Sequence, residues 1–244
     1  MTPRGQVALV TGGAQRIGRA IALALGERGM QVALTYRTSA AAAAATVRQL
    51  KRHGVRAMAV AVDQTDVAQI RAAVRTVERA FGRIDLLVNN ASNFYPTPLD
   101  STTEAQWDDL LNVNLRAPFF FAQAVAPGMR RRRRGKIINI ADVSAISPWP
   151  TYLPYCIAKA GVIALTRGLA KTLAPHVQVN AIAPGPILPP PGLSRAEERR
   201  ALARTLLKRW GSPREIVSAV RYLVEGTDFV TGHVLTVDGG RLLA

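Results

Sequence analysis

A tyrosine and a lysine four residues apart, Tyr155 and Lys159, are the side chains of this sequence whose spacing most directly suggests chemistry. Residues at i and i+4 share one face of a helix, so the phenol and the ammonium are expected to lie together. An ammonium group lowers the pKa of a neighbouring phenol from about 10, which makes the phenol a usable proton donor near neutral pH. Asp142 precedes Tyr155 by thirteen residues, and a carboxyl group at that site changes which substrates it can protonate.

A glycine-rich turn, residues 11–18 (Thr-Gly-Gly-Ala-Gln-Arg-Ile-Gly), follows the first apolar run and opens a helical pattern. Glycines such as Gly12 and Gly18 let the backbone approach a pyrophosphate, which then lies on the positive N-terminus of the helix. Arg16 and Ile17 stand between them. The pattern predicts a dinucleotide site, and the alternative is a tight turn that binds nothing.

The segment after the second predicted strand indicates which dinucleotide is bound. It contains Tyr36, Arg37, Thr38 and Ser39 and no acidic residue. An acid at this place would bind the ribose hydroxyl of NAD and repel a 2′-phosphate, whereas arginines and hydroxyl groups suit that phosphate. Together with Arg16, this segment predicts NADPH as the cofactor, although each arginine considered alone is also typical of a solvated surface.

Three further residues follow predicted strands and are assigned to the nucleotide. Asp63 follows the third strand, where it can accept a hydrogen bond from an adenine amino group or act as a helix N-cap. Asn90 and Ala91 follow the fourth strand, where backbone groups can line the nucleotide.

Short apolar runs alternate with helical patterns along the whole chain, which predicts an α/β fold, a doubly wound parallel sheet in a single domain over residues 1–244. The predicted strands are 7–10, 32–35, 57–62, 86–88, 136–140, 177–182 and 234–237, and the predicted helices lie near 16–29, 39–53, 66–81, 104–128, 152–174 and 213–225. Ligands bind outside the carboxyl ends of such strands, so the motifs are expected to converge there. The N-terminal half would bind the dinucleotide, and a Pro-rich loop with a helix, about 184–209, the substrate.

The formal net charge of +16 and the run Arg130–Arg134 raise the question of nucleic acid. The run lacks interleaved aromatic residues and precedes a predicted strand, so it is expected to be solvated on the edge away from the chemistry. No apolar run is long enough for a membrane span, and a single cysteine, Cys156, is typical of a cytoplasmic protein. The three histidines lack ligand spacing, so no metal is predicted.

Taken together in this order, the motifs resemble those of the classical short-chain dehydrogenase/reductases. The resemblance covers essentially the whole chain, and its motifs are Thr11-Gly12-x5-Gly18, Asn89-Asn90-Ala91, Asn114, Tyr155-x3-Lys159, Pro184-Gly185 and Asp238-Gly239-Gly240. It implies a Rossmann-type seven-stranded sheet, usually assembled as a homotetramer. It also implies that Tyr155 donates the proton, that Lys159 holds the nicotinamide ribose, and that Asn114 anchors a water in a proton relay.

Three departures from the common pattern of that family resemble the pteridine reductases, which reduce pterin and folate rings with NADPH. Arg16 replaces a glycine, residues 89–99 (Asn-Asn-Ala-Ser-Asn-Phe-Tyr-Pro-Thr-Pro-Leu) replace Asn-Asn-Ala-Gly, and Asp142 replaces the catalytic serine. The resemblance implies that Phe94 stacks the pterin against the nicotinamide and that Ser92 contacts both cofactor and ligand. In the loop after the sixth strand, it assigns the cofactor to Pro184, Gly185 and Ile187 and the substrate to Pro186.

The leading hypothesis is therefore an NADPH-dependent reductase of C=N bonds in pteridines or other cyclic imines, in which Tyr155 and Asp142 share proton donation. The alternative within the family is a ketone reductase, such as a 3-oxoacyl-carrier-protein reductase. A third hypothesis from a different class is a basic scaffold that binds nucleic acid and has an inactive site. The intact Tyr155 and Lys159 pair argues against this last hypothesis.

Overall fold

Seven parallel strands form one sheet in the computed structural model, which describes residues 2–189 and 194–244. The strands are β1 (Val7–Val10), β2 (Gln31–Tyr36), β3 (Ala57–Ala61), β4 (Leu86–Asn89), β5 (Gly135–Ile140), β6 (Val177–Pro184) and β7 (Val234–Val237). Their order is β3-β2-β1-β4-β5-β6-β7, so the winding reverses between β1 and β4. The predicted doubly wound parallel sheet is confirmed. Ligands of such sheets bind at this reversal, which is where the glycine-rich turn lies.

Helices cover both faces of the sheet, as the alternating pattern predicts. They are α1 (Arg16–Glu27), α2 (Ala40–Arg52), α3 (Val67–Phe81), α4 (Glu104–Leu111), α5 (Ala117–Arg131), α6 (Leu153–Leu173), α7 (Arg195–Ala203) and α8 (Pro213–Arg221). In β1, Ala8 and Val10 pack into the apolar cluster shared with α1 and α8, whereas Val7 and Leu9 pack into the cluster shared with α3 and α5. Burial on both faces is why the strands are continuously apolar.

The predicted helix near 104–128 is present as α4 and α5, which are joined without a break by a π-helical turn of wider pitch, Asn112–Arg116. The side-chain amide of Asn114, which lies in this turn, donates to the carbonyl of Leu110 at 3.0 Å. A side chain that bonds the carbonyl four residues back competes with the regular helical ladder. Such insertions are frequent at functional sites, and this one carries a predicted site residue.

Three smaller expectations also need correction. The predicted helix 195–209 ends at Ala203, and residues 190–193 of the predicted Pro-rich loop lie outside the described residues. The sequence also places Ser39, a residue type favoured at the N-cap, directly before α2, but its hydroxyl makes no capping hydrogen bond. Asp63 is not the cap of the next helix, since Asp66 accepts the hydrogen bonds from the first turn of α3.

The arginine run lies before β5, at the opposite edge from the ligand site, as predicted. Its members are not all simply solvated, however. Arg130 donates to the carbonyl of Thr172 at 2.7 Å, and Arg132 donates to the carbonyl of Ile84 at 2.7 Å. Two of the arginines therefore tie the end of α5 to neighbouring segments. Within residues 2–189 and 194–244, no helix is long and apolar enough to cross a bilayer.

Candidate active site

The glycine-rich turn between β1 and α1 is packed too closely for larger residues, as Gly12 and Gly18 show. A Cβ on Gly12 would lie 2.9 Å from Cα of Ala91, and one on Gly18 would lie 2.3 Å from the carbonyl oxygen of Gly12. Gly12 has φ 62°, and Arg16 has φ 49°, a left-handed conformation that costs a non-glycine residue energy. The strained Arg16 is held at the start of α1, where its side chain lines the cleft.

Hydrogen bonds join this turn to the segment after β4. The Thr11 hydroxyl accepts from the backbone N–H groups of Asn90 and Ala91 at 2.9 and 3.0 Å. The Asn90 side-chain amide donates to the carbonyls of Thr11 and Gly12 at 2.9 and 3.3 Å. The two turns at the sheet reversal are therefore one rigid unit, as their spacing after neighbouring strands predicts.

A cavity of about 370 Å³ opens over this unit. Residues predicted to bind the cofactor line it, namely Gly12, Arg16, Ile17, Gly18, Tyr36, Arg37, Asn90, Ala91 and Ser92. The close approach of backbone at Gly12 and Gly18, the N-terminus of α1 and the Arg37 guanidinium fit a phosphorylated dinucleotide. These residues would hold the nicotinamide dinucleotide.

Three residues predicted to bind the cofactor line neither this cavity nor the neighbouring one beside Tyr155. Thr38 and Ser39 lie between β2 and α2, next to Arg37 but outside the lining. The Asp63 carboxylate accepts from the backbone N–H and the hydroxyl of Thr65 at 2.9 and 2.7 Å, and these bonds lower its pKa. Asp63 is thus already satisfied by a local turn, and its predicted contact with adenine stays a prediction.

The predicted pair of Asp142 and Tyr155 is brought together at the end of β5. The Tyr155 hydroxyl donates to Oδ2 of Asp142 at 3.1 Å. The other oxygen, Oδ1, accepts from the backbone N–H of Ser144 at 2.8 Å and so begins the short turn Val143–Ala145. The carboxyl group therefore has two functions, since it caps this turn and also contacts the phenol.

The predicted acidification of Tyr155 by Lys159 is not what the structure shows. Burial raises the pKa of the Tyr155 phenol well above its usual value, and the charge of Asp142 raises it further. The Lys159 ammonium lies 5.5 Å from the centre of the Tyr155 ring, over its face, and not at the hydroxyl. Burial also raises the pKa of Asp142, against the opposing effect of the Ser144 hydrogen bonds. The Tyr155 phenol therefore keeps its proton near neutral pH, and burial favours the protonated form of Asp142.

Lys159 is a buried cation with one recorded hydrogen bond, from its ammonium to the carbonyl of Ile140 at 2.9 Å. Burial lowers the pKa of Lys159 to about 8, and the charge of Asp142 opposes that shift. The ammonium is thus destabilised in this fold. It is poised to gain hydrogen bonds from a ligand that offers hydroxyl acceptors.

The buried charge of Lys159 predicts a gain in stability from Lys159→Met. Because the folded pKa of about 8 lies below the unfolded value of about 10.4, stability rises with pH between the two values. Removing the charge should therefore stabilise the fold by about 1–2 kcal/mol below pH 8, after loss of the bond to Ile140, and this gain should disappear above pH 10.4, where only the loss of that bond remains. Urea unfolding at pH 7 and pH 10.5 measures this difference. A variant less stable than wild type at pH 7 would contradict it.

Asn114 is buried in the turn between α4 and α5, where its side chain organises the segment after β4. Its Oδ1 accepts from the Ser92 hydroxyl at 2.6 Å, and its amide donates to the carbonyl of Asn93 at 3.1 Å and to Oδ1 of Asn93 at 2.6 Å. Asn114 therefore holds the segment that carries Ser92 and Phe94. Its predicted part in a water relay to Lys159 stays a prediction.

Phe94 lies on an irregular segment beside the catalytic pair, as its polar neighbours predict. Its ring stacks on Tyr152 with centroids 4.5 Å apart and an interplanar angle of 8°, and it meets the Tyr155 ring edge-on at 4.9 Å. Trp149 approaches edge-on at 6.1 Å. The side chain of Phe94 remains 44% exposed, so aromatic surface faces the cavity. Tyr152 was not expected in this wall from the sequence, since only the fold brings it to Phe94.

Asp109 on α4 is a further residue that sequence analysis missed. Its Oδ2 accepts from the amide of Asn93 at 2.5 Å and from the hydroxyl of Tyr95 at 2.8 Å. Burial and this carboxylate raise the pKa of Tyr95 to about 12. The bonds fix the residues on either side of Phe94, so Asp109 positions the aromatic wall without contacting the cavity.

A second cavity, of about 490 Å³, joins the catalytic pair to the loop after β6. The predicted residues in its lining are Arg16, Ile17, Asn90, Ser92, Phe94, Asp142, Tyr155, Lys159, Pro184, Gly185, Pro186 and Ile187. Arg16, Ile17, Asn90 and Ser92 line both cavities, which therefore form one continuous cleft. Trp210 and Arg241, which no sequence motif indicated, also line the second cavity. A proton donor next to a dinucleotide cleft defines the site of a hydride-transferring oxidoreductase.

Comparisons with known proteins identify the family. The family model described as "Enoyl-(Acyl carrier protein) reductase" (adh_short_C2) matches residues 12–241. The chain is 39% identical over 246 residues to 5-keto-D-gluconate 5-reductase of Escherichia coli (strain K12), covering 98% of this chain and 96% of that protein. It is 37% identical over 237 residues to the 3-oxoacyl-[acyl-carrier-protein] reductase FabG of Staphylococcus aureus (strain Mu50), covering 96% of each. The chain belongs to the short-chain dehydrogenase/reductase family.

Solved structures agree with this assignment. A blue fluorescent protein from a metagenomic library, crystallised in complex with NADPH, superposes with a TM-score of 0.91 at 35% identity and 99% coverage of both chains. A dehydrogenase/reductase from Sinorhizobium meliloti 1021 superposes with a TM-score of 0.90 at 36% identity, covering 98% of this chain and 95% of the other. The predicted fold and a nicotinamide dinucleotide cofactor are therefore confirmed.

None of the relatives and solved structures described above is named as a pteridine reductase. The names of the two curated relatives describe reductases of keto groups, which favours the alternative, a ketone reductase, over the leading hypothesis. What is established is an NAD(P)-dependent oxidoreductase of this family. Its substrate and its preference between the two dinucleotides are matters of proposal.

Proposed function

We propose that this protein reduces a C=N bond in a planar heterocycle, such as a dihydropterin, with NADPH as the reductant. The observation that carries the proposal is the hydrogen bond between Tyr155 and Asp142, 3.1 Å long and within the substrate cavity. The bound dinucleotide supplies the hydride. The chain itself must hold the substrate flat, exclude water and deliver a proton to the ring nitrogen.

A carboxyl group beside the proton donor favours protonation of a ring nitrogen of the substrate over protonation of a ketone oxygen. A nitrogen that gains a proton becomes more positive, and the Asp142 carboxylate stabilises that charge. A ketone oxygen becomes more negative during reduction and is repelled by the same carboxylate. Burial raises the pKa of Asp142 and so favours its protonated form. In that form the acid shares a proton with Tyr155, and either the phenol or the carboxyl group can donate a proton to the substrate.

The aromatic wall supports a flat substrate. Phe94 presents exposed ring surface to the cavity, and Tyr152 and Trp149 hold that ring in place from behind and from the side. An offset stack on such a ring contributes about 0.5–1.5 kcal/mol beyond the area buried. Ser92 and Asn114 fix the start of the segment, and Pro186 borders the cavity from the opposite loop.

Ketone reduction is the second candidate, and the names of the curated relatives favour it. The site accommodates it when Asp142 is protonated, since a neutral acid donates a hydrogen bond to a carbonyl oxygen. Activity on a ketone should then fall as pH rises through the elevated pKa of Asp142, because the acid loses its proton.

A direct assay decides between the two. Purified protein with NADPH would be supplied in turn with dihydrobiopterin, dihydrofolate, 5-keto-D-gluconate and a 3-oxoacyl thioester, and cofactor oxidation would be followed by absorbance. We expect the highest kcat/KM with a pterin. Turnover of the keto substrates alone would establish the second candidate and overturn the first.

Arg37 should determine the preference for NADPH over NADH. It lines the dinucleotide cavity where an acid would exclude a 2′-phosphate. We expect Arg37→Gln to lower the ratio of kcat/KM for NADPH to that for NADH by about 10–100-fold, the usual worth of a charge-assisted contact. Arg48→Gln, an exposed arginine on α2, removes the same charge outside the cleft and should leave the ratio unchanged. An unchanged ratio in Arg37→Gln would show that Arg37 does not bind the 2′-phosphate of NADPH and would leave Arg16 as the arginine that does.

The resemblance to the family also supports a cytoplasmic location and assembly as a homotetramer, both of which are part of the proposal. Light scattering of the purified protein measures the assembly.

A further inference from the structure

We infer that Arg241, with Arg204 beside it, forms a subsite for a carboxylate group of the substrate. Arg241 follows β7 in the short turn Arg241–Leu243 and lines the 490 Å³ cavity that contains Asp142 and Tyr155. Leu188, Ala201 and Trp210 line the same cavity. The inference deepens the proposed function, because it concerns the far end of the molecule that this cavity binds.

Among the side chains that the structure describes, the Arg241 guanidinium forms no ion pair with an acidic residue. Its recorded side-chain bond is a long one, from Nη1 to the carbonyl of Arg204 at 3.4 Å. Burial lowers the pKa of Arg241, and the nearby charge of Arg204 lowers it further. Two neighbouring cations, one of them partly desolvated, are stabilised by an anion that binds between them.

The remaining charges in the cavity favour an anionic ligand as well. Arg16, Lys159 and Arg241 line it, whereas Asp142 is its one acidic residue among those described. Asp142 is already engaged by Tyr155 and by the backbone of Ser144. A cleft with an excess of positive charge attracts anions from solution and orients them as they enter.

The position of Arg241 separates the subsite from the reacting bond. Asp142 follows β5 and Arg241 follows β7, and β6 lies between these strands. Adjacent strands are about 4.8 Å apart, so the two chain segments are about 10 Å apart. The carboxylate therefore belongs to a side chain or tail of the substrate, several bonds from the atom that accepts hydride.

Binding can be tested without turnover. Calorimetry would compare 4-aminobenzoylglutamate, a flat ring with a dicarboxylate tail, with its diamide, with and without NADP⁺. We expect the dicarboxylate to bind wild type at least about tenfold more tightly than the diamide. Arg241→Gln should lose that preference, and Arg48→Gln, which removes an exposed charge on α2, should keep it. Equal affinities of wild type for the two compounds would overturn the inference.

Kinetics give a second measurement on the working enzyme. The ratio of kcat/KM for dihydrofolate, which carries carboxylates, to that for dihydrobiopterin, which does not, should fall about tenfold in Arg241→Gln, mainly through KM. Arg204→Gln should change the ratio in the same direction by less, and high salt should weaken the preference of wild type. If Arg241→Gln does not fold, the kinetics of Arg204→Gln and the salt dependence of wild type still test the subsite.

The outcomes separate this subsite from the proposed function. Preferential binding of the dicarboxylate without turnover of any pterin supports the subsite and removes the proposed activity. Turnover of both pterins with a ratio that is the same in wild type and in Arg241→Gln supports the activity and overturns the subsite.

Discussion

Replacing Tyr155 by phenylalanine should lower kcat by about 10²–10⁴-fold, because we propose this phenol as the proton donor to the substrate. Its hydroxyl is hydrogen-bonded to Asp142 at 3.1 Å and lies in the substrate cavity. The ring would remain, so its edge-on contact with Phe94 and its packing against Lys159 should persist. Dinucleotide binding should therefore be retained while turnover is lost. Stopped-flow absorbance and calorimetric binding of NADP⁺ measure the two effects.

A matched control lies one helical turn earlier. Tyr152→Phe removes a hydroxyl for which no hydrogen bond is recorded, and it keeps the ring that stacks on Phe94. Its kcat should stay within about threefold of wild type, since the ring that lines the cavity is kept and the lost hydroxyl has no hydrogen-bond partner among the described residues. If Tyr155→Phe retained a tenth or more of wild-type turnover, Tyr155 would not be the donor, and Asp142 alone would have to supply the proton.

Replacing Asp142 by serine should change the kind of bond that the enzyme reduces. A serine hydroxyl can donate to a carbonyl oxygen but cannot balance positive charge on a ring nitrogen. We expect the ratio of kcat/KM for a pterin to that for a ketone to fall about 10²-fold, the usual worth of one positioned electrostatic group. A substrate panel assayed with wild type and variant measures this ratio.

Asp142→Asn separates the charge of Asp142 from its shape. The amide oxygen can still accept from the backbone N–H of Ser144, so the short turn Val143–Ala145 should persist. If charge matters for C=N reduction, this variant should lose pterin turnover about as much as the serine variant. Pterin turnover that survives both substitutions would show that the carboxyl group only caps the turn and that Tyr155 acts alone.

The sheet and the dinucleotide site could be predicted because their signals are local along the chain. Apolar runs that alternate with helical periodicity give parallel strands covered by helices, and β1 and β7 begin and end where the pattern places them. Gly12 and Gly18 are six positions apart in one continuous turn and helix, and a Cβ at either would clash with backbone atoms. The spacing of these glycines is a local pattern, and it therefore predicts the tight turn from the sequence alone.

The wider π-helical turn between α4 and α5 was not predictable from periodicity, because its position depends on the tertiary contacts of a single buried amide. Asn114 bonds the carbonyl of Leu110 and also holds Ser92 and Asn93, which are about twenty residues away in the chain. The same holds for Asp109, which fixes Asn93 and Tyr95. Such contacts depend on which segments the fold brings together, and a helical pattern does not contain that information.

The sequence by itself determined which residues meet at the carboxyl edge of the sheet, because strand order and spacing force Asp142, Tyr155 and Lys159 to one place. Only the tertiary structure decided their protonation. Burial raises the pKa of Tyr155 and of Asp142 and lowers the pKa of Lys159 to about 8. Desolvation depends on all the groups that surround a charge in three dimensions. The spacing along the chain therefore predicted the neighbours of Tyr155 correctly but predicted the direction of its pKa shift wrongly.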